Sequence, residues 1–159
     1  MDRALTQRLH LDYLKVYRIN WIITEGILLV LLVAYLALAL WKEWTMLPIW
    51  IGLAVLLLLS IIFIWIVPKV IYSRYKYELF EDELEIQSGL IFITNVLVPM
   101  VKVQHVELET GPLMRKYELA KVAIVTAATK HTIDGLKLEQ AQALKRRIGI
   151  LAKVDDQDE

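Results

Sequence analysis

The residues whose types could do chemistry are few: three histidines, His10, His105 and His131, one carboxylate inside an apolar run, Glu25, and a basic triplet, Lys145-Arg146-Arg147. A metal site or a nucleophile–base pair needs partners at matching spacing. The histidines fall in separate segments, with no Asp, Glu or Ser so placed, and read as structural. The chain has no cysteine, which excludes disulfides, thiolate metal sites and cysteine nucleophiles together. It also lacks a Gly-rich phosphate loop and a Ser-His arrangement. The expectation is a non-enzyme with no catalytic residues, no cofactor and no metal. The basic triplet reads as the solvated end of a helix, and a formal net charge of zero does not advertise nucleic-acid binding.

The elements around these residues must segregate two kinds of sequence. Of 159 residues, 57% are hydrophobic, yet Lys, Arg, Asp and Glu still make up 23%. From Trp21 to Leu40 the only formal charge is Glu25, and from Ile49 to Val67 there is none. Each run matches the roughly 20 helical residues that cross a hydrocarbon core, and each is flanked by tryptophans suited to the headgroup layer. Two transmembrane helices over 21–67 are expected. A cleaved signal peptide is disfavoured by the length of the first run and the lack of a small-residue cleavage pattern. Lys42 to Pro48 is short enough to force an antiparallel hairpin. Arg3, Arg8, Lys15 and Arg18 before it, and Lys69, Arg74 and Lys76 after it, outweigh Lys42 in the loop, so both termini are expected in the cytoplasm, at the inner membrane. Glu25 would mark a function at mid-membrane, but it lies four residues inside Trp21. An interfacial carboxylate is the preferred reading.

Before the hairpin, residues 1–20 place Leu5, Leu9, Tyr13 and Val16 at helical spacing, predicting an amphipathic juxtamembrane segment along the membrane surface. After Pro68 the period becomes alternating. Ile71 to Phe80 reads as a strand, Glu81-Asp82 as a turn, Leu84 and Ile86 as one face of a second strand, and Ser88-Gly89 as a turn. Gly89 to Pro99, GLIFITNVLVP, is too short and too β-branched for a third crossing, and reads as a strand limited by Pro99. In VKVQHVEL the buried phase slips near Gln104-His105, which predicts a β-bulge. Gly111-Pro112 makes a turn, Leu113 and Tyr117 are placed as one short helical turn, KVAIVTA is a central strand, and HTID is a weaker last one. Leu138, Ala141, Leu144, Ile148 and Leu151 then predict an amphipathic helix ending at the basic triplet. The fold class is therefore a membrane helical hairpin followed by a mainly-β water-facing domain over 69–152, with an acidic tail at 153–159.

The order of these pieces resembles the bacterial pleckstrin-homology-like domain of membrane proteins, formerly a domain of unknown function. The residues that carry the resemblance are Tyr75-x-Tyr77-x-Leu79, the Gly89 turn, Val98-Pro99 before Lys102-x-Gln104, Gly111-Pro112-Leu113 and a helix opening at Gly135-Leu136. The stretch RLHLDYLKVYR ahead of a two-helix hairpin is similar to the family's small members. The resemblance implies a partly open β-barrel capped by a C-terminal helix, without known catalysis. It further implies a partner, a larger membrane protein with repeated copies of the domain, and a role in envelope protection, stress resistance or export of toxic peptides. The sequence departs from the family pattern in two places: Ile93, Thr94 and Asn95 stand where basic residues are expected, and Lys137 stands where a Ser or Thr helix cap is usual.

Inositol-phosphate binders of the wider pleckstrin-homology class cluster cations around the first hairpin. Here that hairpin carries Glu78, Glu81, Asp82, Glu83 and Glu85, which disfavours such a ligand. Non-specific attraction to bilayer lipids through Arg18, Lys69, Arg74 and Lys76 needs no pocket. The expected partner face is the apolar outer side of the third strand, Ile91, Ile93 and Asn95, docking onto the larger relative or onto another copy as a homo-oligomer. The rival readings are a transport accessory, with the hairpin oligomerising around a path, and an anionic-lipid sensor.

Overall fold

The structure, a computed structural model, describes residues 5–155. It divides into two compact units, Tyr17–Val70 and Met1–Val16 with Ile71–Glu159.

The first unit is the helical hairpin. Helix α1 (Leu11–Lys42) enters it, and a second helical stretch returns over Leu47–Arg74. Both are long and apolar enough to cross a membrane, and only 6% of the apolar window of each is buried. Ile22, Leu31, Val33, Leu57 and Leu58 lie exposed, a surface for which lipid is the appropriate solvent. Trp21 stacks on Phe63 with ring centroids 4.1 Å apart. Gly52 admits the Leu32 side chain, since a Cβ there would fall 2.7 Å from Leu32 Cδ1.

The returning stretch is α2 (Leu47–Ser60), a π-helical segment (Ile61–Ile66) and α3 (Val67–Arg74). A proline inside a helix has no N–H to donate and crowds the carbonyl four residues back. Ahead of Pro68 the pairing widens, and the Val67 N–H reaches back to the Ile62 carbonyl, which relieves that conflict. The helix therefore continues past the proline to Arg74. The strand expected from Ile71 is corrected to β1 (Lys76–Leu79) alone.

The second unit holds two antiparallel three-stranded sheets that do not close into a barrel, and a C-terminal helix. The first sheet is β1, β2 (Glu83–Ser88) and β3 (Thr94–Pro99), with Tyr77 opposite Ile86 and Leu84 opposite Val98 on its inner face. A 3-10 turn, Met100–Lys102, leads to the second sheet: β4 (Val103–Glu109), β5 (Leu119–Thr126) and β6 (Lys130–Lys137). The bulge predicted near Gln104-His105 is present, as a register shift between Val103 and His105. Helix α4 (Pro112–Lys116) fills the expected helical turn, and β5 is central. The last strand is longer than HTID and takes in Gly135 and Leu136, so α5 (Leu138–Asp155) starts three residues later than the resemblance implied. It also runs two turns beyond Arg147, which places the basic triplet mid-helix on an exposed face. Of the acidic tail, residues 156–159 lie outside the described residues, as does Arg3.

The segment before Leu11 is extended, not helical. Gln7 bridges Tyr77 of β1, whose N–H donates to the Gln7 carbonyl at 3.0 Å. Three residues on, the His10 N–H donates to the Gly135 carbonyl of β6 at 2.8 Å. Leu5–His10 thus straps the outer strand of one sheet to the outer strand of the other. Leu9 is buried in the core with Leu84, Ile86, Val98, Met100, Val122, Ile133, Leu136 and Ile148, where the sequence reading laid it on the membrane surface. Helical spacing of Leu5 and Leu9 is equally the spacing of two residues on one face of an extended chain.

Candidate functional site

Between β2 and β3 the chain doubles back. Gly89 has φ +138°, and a Cβ there would overlap the Phe92 carbonyl oxygen, so the turn requires glycine. The four residues that follow, Leu90, Ile91, Phe92 and Ile93, are all exposed, Ile91 to 83% and Phe92 to 84%. This corrects the reading of Gly89–Pro99 as one strand. Its β-branched content marks a strand only from Thr94 onward, because the first half is consumed in the turn. The proposed face Ile91, Ile93 and Asn95 is therefore split. Ile91 and Ile93 lie in the loop, while Asn95 sits on the outer face of β3 with Leu97, opposite Gln87 and Glu85, and its amide donates to the Glu85 carboxylate. That outer face is polar and acidic around one exposed leucine, and the apolar surface belongs to the loop.

The strap links β1 and β6, whereas among the described residues nothing comparable pairs with β3, which ends the first sheet, or with the outer side of β4, which ends the second. Leu97 and, in the adjoining 3-10 turn, Val101 stand more than half exposed along this edge. Beside it a groove of about 550 Å³ is lined by Val101, Lys102, Gln104 and Ala128.

The candidate cations are shared between the two units. Arg18 and Lys69 belong to the hairpin unit, and Arg74 and Lys76 to the other. Arg18 Nε is buried without a hydrogen-bond partner. Arg74 is committed to the loop: its guanidinium donates to the Leu90 carbonyl and, at 3.4 Å, to that of Ile91. Within the hairpin Glu25 accepts a hydrogen bond from the Ser60 hydroxyl, so the intramembrane polar candidate joins the two helices.

A cavity of about 200 Å³ lies under the loop, lined by Tyr13, Tyr75, Ser88, Leu90 and Asp134 among others. The Tyr75 hydroxyl donates to the Thr132 carbonyl at 2.8 Å, and burial together with the nearby Asp134 carboxylate raises its phenol. Burial pushes the Tyr77 phenol up to about 12 and raises the Asp134 carboxyl, against which Lys121 acts and which Glu109 reinforces. Lys137, standing where a helix cap was expected, instead clasps Asp12 at 3.1 Å and the Tyr117 carbonyl at 3.0 Å. The first N–H of α5 finds the Glu118 carbonyl at 2.9 Å. His10, His105 and His131 occupy the strap, β4 and β6. Among the described residues no group of His, Asp and Glu is arranged to hold a metal ion. Phe92, Leu97 and Asp134 were missed in the sequence. Phe92 and Leu97 left a signal, as part of one uncharged run, and Asp134 left none.

An apolar hairpin joined to two open sheets and a closing helix defines a membrane-anchored module of pleckstrin-homology type. The chain belongs to the bacterial PH domain family, whose model matches residues 12–151. It is 45% identical over 150 residues to the UPF0699 transmembrane protein YdbS of Bacillus subtilis (strain 168), covering 92% of each chain. It is also 24% identical over 96 residues, 57% of this chain, to the UPF0699 transmembrane protein YdbT of the same bacterium, and spans 20% of that longer protein. No solved structure matches it. The chain is thus a membrane protein carrying a PH-like domain, in a family not known for enzymes.

Proposed function

We infer that this protein is a non-enzymatic, membrane-anchored binding module that works in complex with a longer membrane protein carrying the same domain. Its setting is the inner membrane with both termini in the cytoplasm, on the distribution of Arg8, Lys15, Arg18, Lys69, Arg74 and Lys76 against Lys42. The observation that carries the reading is the unpaired β3 edge with Leu97 and Val101 exposed beside it, in a domain whose β1 and β6 edges are already strapped. An unpaired edge is a template for another chain, and a sheet that shields one gap and leaves the other open has a defined place to receive it. The existence of a longer relative supports that choice of partner. Two membrane tethers raise the effective concentration of such partners, so a modest contact suffices. Envelope protection or export of toxic peptides is the role that the resemblance implies for such a complex, and it is part of this reading. Leu97→Glu and Val101→Glu are expected to abolish co-purification with the longer relative while leaving the β-sheet circular dichroism unchanged. Full co-purification of a folded double variant would overturn the reading.

A further inference from the structure

We propose that the Leu90–Ile93 loop is a second membrane contact of this chain, with Ile91 and Phe92 entering the interfacial layer of the bilayer that the hairpin crosses. No other stretch of the module exposes four apolar residues in succession among the described residues, and none of the four carries a charge. An exposed patch of this kind calls for a cover. A bilayer rather than a protein groove is indicated by chain length and by backbone satisfaction.

Arg74 holds the loop, and it stands only seven residues on from Val67, where the charge-free run ends. At a helical rise those seven residues span about 10 Å, comparable to the depth of a headgroup layer. The loop's base is therefore tethered within reach of the interface. A loop entering an apolar phase must also satisfy its carbonyls, and the Arg74 guanidinium does this for Leu90 and Ile91. With the loop in the interface, the same guanidinium would stand as a cation behind the apolar tip, the arrangement that interfacial anchors use. The Gly89 turn presents Ile91 and Phe92 at the apex instead of returning them to the sheet. This contact is separate from the β3 edge and does not depend on any partner chain.

The chain has no cysteine, so single cysteines can be labelled without further change. Full-length Phe92→Cys and, at the β5–β6 turn, Ala128→Cys would each carry a nitrobenzoxadiazole probe in phosphatidylcholine–phosphatidylglycerol vesicles. The probe at 92 is expected to be several-fold brighter than that at 128, quenched by lipids bearing a shallow nitroxide and protected from aqueous iodide. Adding Ile91→Asp and Ile93→Asp should remove the lipid quenching without loss of sheet structure. Quenching at 92 by iodide and not by nitroxide lipid overturns the proposal. So does protection from both quenchers, which would assign the loop to a protein cover, whatever the co-purification of the Leu97 variant shows.

Discussion

The hairpin and the module use apolar side chains in opposite senses. In the hairpin Leu31, Leu57 and Trp65 face outward, and the buried set is small; in the module Leu84, Val122, Ile133 and Leu136 face inward with no exposure at all. The difference is one of solvent. Helices satisfy their own backbone and can turn apolar side chains to lipid, whereas two open sheets in water must turn theirs toward each other. The Leu90–Ile93 loop is informative because it obeys the hairpin's rule inside the module.

Substitutions can sharpen or break this contrast. The largest effect is expected at Leu9, which is 4% exposed in the strap. Leu9→Ala should cost about 2–5 kcal/mol, read as faster hydrogen exchange of the β5 amides in the full-length protein, as for other buried leucines. Leu57→Ala, at a position 67% exposed in the hairpin, should leave the same amides within about 0.5 kcal/mol. Equal effects at both positions would erase the distinction. A smaller loss is expected from Gly135→Ala. Gly135 has φ +65°, and its Cβ would stand 2.5 Å from Tyr13 Cγ, so the variant should lose about 1–3 kcal/mol of the module's stability. An unchanged exchange rate would show that the packing of Tyr13 on β6 yields freely.

The smallest effect concerns charge. Burial raises the folded-state pKa of Asp134 above its unfolded value, so the folded state binds the extra proton. Stability from this group is then present at low pH and is lost as pH rises through the window between the two values. Asp134→Asn should therefore stabilise the module at neutral pH, and the gain should vanish below the ordinary aspartate range. Thermal melts across pH test this, and a gain that persists in acid would mean that the asparagine acts through a new hydrogen bond.

Much of the fold was legible because its signals are local. The slip in phase at Gln104-His105 announced a bulge, since side chains alternate strictly and a one-residue insertion must invert the buried set. The candidate site was less legible. Ile93 and Asn95 are two residues apart and seemed to share a strand face, yet the chain reverses between Gly89 and Phe92 and only Asn95 reaches the sheet. Pro68 looked like a helix end, but the π-helical widening before it let the helix pass.

What the sequence by itself determined is the hairpin, the meander with its bulge, the central β5 and the amphipathic α5. Each follows from periodicity and breakers within a dozen residues. Only the tertiary structure decided that Leu5–His10 straps β1 to β6, that β3 keeps an open edge, that Lys137 clasps Asp12, and that Arg74 holds an apolar loop outward. Those are pairings between residues about 16 to 125 positions apart. No local pattern encodes them, because they form only when the burial of one core brings distant backbone groups within hydrogen-bonding distance.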